Sequence, residues 1–179
     1  MKNKIFFLLS LFLFSCSSHV FAVRSFIIDT DVGIDDAIAL LYLLQRSDVD
    51  VKAITIEGDG NAHCKPAIAN TYGLLRLVHR TEIPVACGRS TPLKGHHVFP
   101  KNILQMCDTL AGAPLIKPAI PPIKKSAKNV LLATLRASSH PVDILALGPL
   151  TTIAEVLIQH PELKNKIRML YVIDRKSVV

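Results

Sequence analysis

Aromatic residues are scarce in this chain, at 6% with no tryptophan, and the basic surplus behind its isoelectric point near 9.4 is scattered. Without a Lys/Arg stripe interleaved with aromatics, there is little to grip a nucleic-acid backbone and its bases. Cysteine is sparse too, with four in 179 residues and no CxxC pair. Cys64, Cys87 and Cys107 lie in the body of the chain, and an odd number without paired spacing argues against a disulfide framework or a zinc knuckle. A single bridge among the three stays open, and spacing does not select its members. No internal repeat or low-complexity tract is present. At this length, half of it hydrophobic, the chain suffices for one sizeable core rather than several domains.

Long apolar runs are confined to the start. Lys2 and Lys4 lead into the apolar stretch from Ile5 to Phe14, and Val20-Phe21-Ala22 offers a small-residue cleavage site, so residues 1–22 read as a secretory signal peptide. The stretch is too short to span a bilayer. Cys16 invites a lipoprotein reading, but Phe14 is bulkier than such sites carry. Removing residues 1–22 takes away two lysines and no acid, which lowers the formal charge from +7 to +5. The expected product is secreted or periplasmic, with no stable membrane insertion.

Beyond the leader, short apolar runs alternate with helical patterns. This is the sequence form of an α/β domain: an open, largely parallel sheet with helices on both faces. Strands are expected at Ser25 to Thr30, Val51 to Ile56, Ile83 to Ala86, Val142 to Leu147 and Ile167 to Ile173. Helices are expected at Ile34 to Leu44, which is apolar nearly all round, at Ala62 to His79, and at Ser126 to Ser138. A further helix, Thr151 to Gln159, offers Thr152 and Glu155 as a capping box and stops at Pro161. Between Gly88 and Lys125 six prolines break the pattern into a long excursion over the sheet edge, in which only Asn102 to Leu110 looks helical.

The feature that carries chemistry is Asp29-Thr30-Asp31-Val32-Gly33-Ile34-Asp35-Asp36, which packs four carboxylates into eight positions after the first strand with no basic residue among them. An acid at a helix start is often a cap favoured by the helix dipole, which accounts for one or two of the four. Asp29 is the one most readily read as structural. Four together repel unless a cation is held or some are protonated. Oxygen donors with no Cys or His nearby favour calcium or magnesium over zinc. The expected place is the carboxyl end of the first strand, where parallel sheets gather ligands, with Gly33 permitting a tight turn that brings Asp31 and Asp36 to one centre.

These residues resemble the N-terminal signature of the nucleoside hydrolases, the inosine/uridine-preferring type of N-ribosyl hydrolase. Three further stretches are similar in order and spacing: Ile54 to Ala62, with Gly60-Asn61; Ile83 to Leu93; and Leu145-Ala146-Leu147-Gly148-Pro149-Leu150-Thr151. The resemblance runs from about Phe26 to Tyr171. It implies hydrolysis of the N-glycosidic bond of a small-molecule nucleoside to free base and ribose by a calcium-bound water. Asp31, Asp36 and the backbone carbonyl of Leu147 would hold the calcium. Asp31 would also be the general base, and Asp35 and Asn61 would bind the sugar. Together with export it suggests a role in nucleoside salvage.

Several departures accompany it. Many members carry a His-Gly pair after the third strand where this chain has Gly95-His96-His97, and Thr152 replaces the usual Asn. A loop His is more often a solvated residue than a ligand. In the family the last strand enters a Met-Gly-Gly turn and a second half bearing further sugar ligands, a His acid and a final metal Asp. Residues 174–179 break that pattern. They translate from a common sequencing-adapter read and are expected to be a non-family tail on the N-terminal part, 23–173, of a nucleoside hydrolase domain. Such a chain is expected to be inactive or nearly so. The alternatives are a secreted calcium- or sugar-binding half-domain, and a haloacid-dehalogenase-like phosphatase with Asp29 as nucleophile; Gly33 and the unused Asp35-Asp36 pair argue against the second. A homo-oligomer is compatible with the sequence, which carries no trace of oligomeric state.

Overall fold

Five parallel strands stack side by side in the order β3-β2-β1-β4-β5 in the computed structural model, which describes residues 23–115 and 125–173. The expected signal peptide and the non-family tail lie outside the described residues. The strands are β1 (Arg24–Thr30), β2 (Val49–Ile56), β3 (Val85–Cys87), β4 (Val142–Ala146) and β5 (Ile167–Val172). The helices are α1 (Ile34–Leu44), α2 (Cys64–Leu77), α3 (Lys101–Asp108), α4 (Ala127–Ala137) and α5 (Thr151–Gln159). Strand order reverses at β1: the chain first builds outward through β2 and β3, then returns to place β4 on the other side. Such a reversal leaves a crevice outside the carboxyl ends of β1 and β4.

Side-chain alternation along β1 divides the interior into two cores. Phe26 and Ile28 face one way, into a cluster with Leu40 of α1, Ile54 and Ile56 of β2, and Leu74 and Leu75 of α2. Ile27 faces the other way, into a cluster with Val130, Leu131 and Leu135 of α4 and Ile153 and Val156 of α5. Burying each such aliphatic side chain contributes roughly 1.5–3 kcal/mol, which is why a central strand reads as an unbroken apolar run. On the α4/α5 side the sheet presents the small residues Ala53, Ala86 and Ala146, which let those helices approach.

Helices α1 and α5 keep their expected bounds, whereas α2 starts two residues later and stops two residues earlier than its pattern. His79 lies outside it with φ 55°, beyond the Val78 cap. Ser126 caps α4, its hydroxyl accepting from Asn129 N at 3.3 Å. Helix α1 leaves one apolar flank uncovered, with Ile34, Ile38 and Tyr42 exposed at helical spacing. Met169, Tyr171 and Ile173 of the edge strand region are exposed as well. The proline-rich excursion supplies α3, which packs on α2: Asn70 Nδ2 donates to the carbonyls of Cys107 and Asp108. No helix among the described residues is long and apolar enough to cross a membrane.

The bridge left open by spacing joins Cys64 to Cys87, tying the first residue of α2 to the last of β3, while Cys107 is free and buried. A bridge closing 23 residues removes loop entropy from the unfolded chain, an effect of about 3 kcal/mol. Reduction, or Cys64→Ser, is therefore expected to lower the melting temperature measured by calorimetry. An identical transition with and without reductant would show that the bridge adds nothing.

Candidate functional site

β1 delivers its acids to the crevice by geometry that begins inside the strand. Asp29 pairs in register with Thr55 of β2 and Ala146 of β4, is fully buried, and accepts a hydrogen bond from Thr55 Oγ1. By alternation it lies on the α4/α5 side of the sheet. Glu57, just past the end of β2, is equally buried and near enough to Asp29 for the two carboxyl groups to repel when both are charged. Such repulsion in a dry interior favours a proton on one of the pair. Burial, reinforced by Glu57, pushes Asp29 well above the ordinary carboxylate range. Burial also pushes Glu57 up to about 7, against hydrogen bonds from Asp29 and from Thr152 that favour its charged form.

Asp31 leaves the strand and enters the crevice. Its Oδ2 accepts from Asn61 N at 3.1 Å, and two backbone segments press against it. A Cβ on Gly60 would lie 2.1 Å from Asp31 Cβ, and one on Gly148 would lie 2.9 Å from it. Glycine is thus required at both places by close approach. Asp36, in the first turn of α1, turns back to the same centre: its Oδ2 accepts from Thr30 Oγ1 at 2.6 Å and from Asp31 N at 3.2 Å. The turn between them was expected to rest on Gly33. Gly33 instead has an ordinary φ of −65°, and it is the buried Val32 that takes the left-handed conformation, with φ 57°. For a β-branched residue this conformation costs about 1–3 kcal/mol, strain of the kind held at functional sites. A Cβ on Gly33 would meet the tip of the exposed Asp35 side chain, Oδ1, at 2.8 Å, so a larger residue there would turn Asp35 aside.

The structure thus brings together Asp31, Asp36, Asp35 and Asn61, with the Leu147-Gly148 peptide packed on Asp31. Asp31 and Asp36 are buried, and Asp35 stands exposed at the mouth. The amide oxygen of Asn61 is buried with no protein partner, as suits a group kept for a polar ligand. Leu147 N donates to Asp29 O at 2.8 Å, extending the β1–β4 ladder by one rung to the crevice. His97 lines a cavity of about 130 Å³ with Asp59, Gly60, His63 and Phe99, and its ring meets the edge of Phe99 at 4.7 Å. His96 does not line that cavity.

Two buried carboxylates converging on one centre suit a hard cation that binds oxygen. Among the described residues no three His, Cys, Asp or Glu side chains form a metal cluster. Burial and the nearby acids Asp31, Asp35, Asp36 and Asp108 push the Cys107 thiol up, toward its protonated form.

Sequence reasoning missed Glu57 and Asp59, although both stand in the motif around Gly60-Asn61. Glu57 Oε1 accepts from Thr152 N at 2.7 Å, and Asp59 Oδ2 accepts from Thr151 Oγ1 at 2.7 Å. These bonds replace the expected Thr152/Glu155 capping box. Thr152 lies inside α5 rather than at its start, Leu150 is the N-cap, and Glu155 instead binds Lys128 of α4 at 3.2 Å. Asp143, also buried, sits at the opposite, amino end of the sheet between Arg24 and Arg168 and is structural.

A doubly covered parallel sheet with a carboxylate cage at its reversal point defines an α/β domain that takes its ligand at the strand ends. The chain belongs to the family of inosine-uridine preferring nucleoside hydrolases, whose profile matches residues 26–173. It is 39% identical over 141 residues to the pyrimidine-specific ribonucleoside hydrolase RihA of Escherichia coli, covering 79% of this chain and 45% of that protein. Among solved structures, an inosine-guanosine nucleoside hydrolase superposes with TM-score 0.76 at 29% identity, covering 86% of this chain and 50% of the other. The plant nucleoside hydrolase PpNRh1 superposes with TM-score 0.73 at 31% identity, covering 84% and 47%. The chain therefore spans about half the length of the relatives it matches.

The raised Glu57 gives the site a pH signature. In the unfolded chain Glu57 ionises near 4.5 and in the folded chain at about 7, so its contribution to stability is complete below 4.5 and is lost as pH rises through 7. Metal-free protein is expected to melt at falling temperature from pH 5 to pH 8, and Glu57→Gln is expected to flatten that slope. A slope of the same size in the variant would assign it to other groups.

Proposed function

We propose that the protein acts on nucleosides, hydrolysing the N-glycosidic bond to free base and ribose with the help of a calcium ion. The observation that carries this reading is the convergence of Asp31, Asp36, Asp35 and Asn61 at the crevice between β1 and β4, in the chain order of the family signature. Asp31, Asp36 and the Leu147 carbonyl would hold the cation. When bound, calcium supplies a Lewis acid that lowers the pKa of a coordinated water. Asp31 accepts the proton of the attacking water, its position fixed by Asn61 N and by Gly60 and Gly148. Asp35 and Asn61 orient the ribose hydroxyls, and the carboxylates stabilise the positive charge that develops on the sugar as the base departs. The 179-residue chain by itself is expected to release little base. Against a phosphatase reading stands the full burial of Asp29, its would-be nucleophile, which accepts the Thr55 hydroxyl.

Export fits the same picture. The Cys64–Cys87 bridge favours an oxidising compartment, which supports the secreted or periplasmic reading of the leader.

Base release from inosine and uridine, measured with and without chelator, tests the proposal in a protein of the relatives' length that carries residues 23–173. Asp31→Asn is expected to lower the rate roughly a hundredfold or more, as loss of a general base does. Gly60→Ala should approach that loss by displacing Asp31. Activity indifferent to both chelator and Asp31→Asn would reject the calcium-assisted mechanism. Nucleoside binding without base release in that protein would favour a binding function instead.

A further inference from the structure

The loop from Glu57 to Asn61 reaches across the crevice in two directions. Its backbone joins β1, with Glu57 N donating to Thr30 O at 2.8 Å, and Asn61 N holds Asp31. Its two acid side chains reach instead to the first turn of α5, a helix whose Leu150 N-cap makes no side-chain cap bond. Glu57 takes the Thr152 amide and Asp59 takes the Thr151 hydroxyl. Behind them the fit is tight: a Cβ on Gly88 would lie 2.7 Å from Thr152 Oγ1. Thr151 and Thr152 follow Gly148 by three and four residues, with Pro149 between, so little slack separates this hold from the Leu147-Gly148 peptide. That peptide in turn rests on Asp31, where a Cβ on Gly148 would lie 3.0 Å from Asp31 N.

We propose that Glu57 and Asp59 are positioning residues for the metal site, clamping the first turn of α5 so that the Leu147 carbonyl is fixed beside Asp31. This rests on the reading of Leu147 as a metal ligand. Neither acid binds the metal. Each acts through a threonine on the backbone that does, as groups that orient a ligand commonly do. The clamp also places carboxyl oxygens at the amino end of α5, where the helix dipole favours acceptors.

Two readouts on the 179-residue chain separate positioning from bulk stability: amide exchange across Leu147 to Ile153, and calcium affinity by isothermal titration. Glu57→Ala and Asp59→Ala are expected to speed exchange in that segment and to weaken calcium binding by about tenfold, the usual cost of removing a partner of a metal ligand. Glu57→Gln, which keeps an oxygen facing Thr152 N, is expected to retain both properties. If Glu57→Ala does not fold, Asp59→Ala and Thr151→Val, which break the other bond from either side, carry the same expectation. Faster exchange with unchanged calcium affinity, or Glu57→Gln losing as much as Glu57→Ala, overturns the clamp while leaving the metal site intact. Calcium affinity unmoved by Asp31→Asn overturns the metal reading, and the clamp falls with it.

Discussion

Burial of β1 between two strands and under two helical layers is the constraint from which the rest of the molecule follows. A strand with neighbours on both edges and apolar cover on both faces cannot shift register without exposing Ile27 and Ile28, so the point at which it ends is fixed. Its last residues therefore deliver Asp29 into a closed interior and Asp31 into an open crevice. Two positions along a strand separate a structural acid from a chemical one.

Charge concentrated in this way has to be managed, and the structure does so locally. Asp29 and Glu57 lie close together in the dry interior, where burial and their mutual repulsion push the Asp29 carboxyl well above its ordinary range and favour a proton there. Asp36 takes the Thr30 hydroxyl and the Asp31 amide; Asp31 takes the Asn61 amide. These hydroxyl and backbone donors orient the Asp31 and Asp36 carboxyl groups toward one centre. A cation is the natural complement, and the strained Val32 shows that the backbone bends to achieve the arrangement.

Glycine enters the site for space more than for flexibility. Gly60 and Gly148 stand where a methyl group would strike Asp31, and Gly33 where it would strike Asp35. All three belong to motifs by which the family was visible in the sequence, and the structure supplies their physical reason. The loops of Gly60 and Gly148 can then close on the Asp31 carboxylate. The Cys64–Cys87 bridge and the Glu57/Asp59 bonds hold those two loops in place from behind.

Sequence by itself determined the alternation of strands and helices, the full spans of α1 and α5, and the position of the acidic run after β1, because these depend on apolar periodicity and neighbours a few residues apart. It also held the motifs that mark the family. Tertiary structure alone decided which cysteines pair, that α5 is capped by Glu57 from 95 residues away rather than by its own Thr152 and Glu155, and that Val32 rather than Gly33 carries the strained turn. It also decided that α1 leaves one apolar flank bare. Each of these depends on the path by which distant segments meet. Local propensity favours a capping box wherever its residues occur, but a buried carboxylate delivered by another strand satisfies the same amide and displaces it.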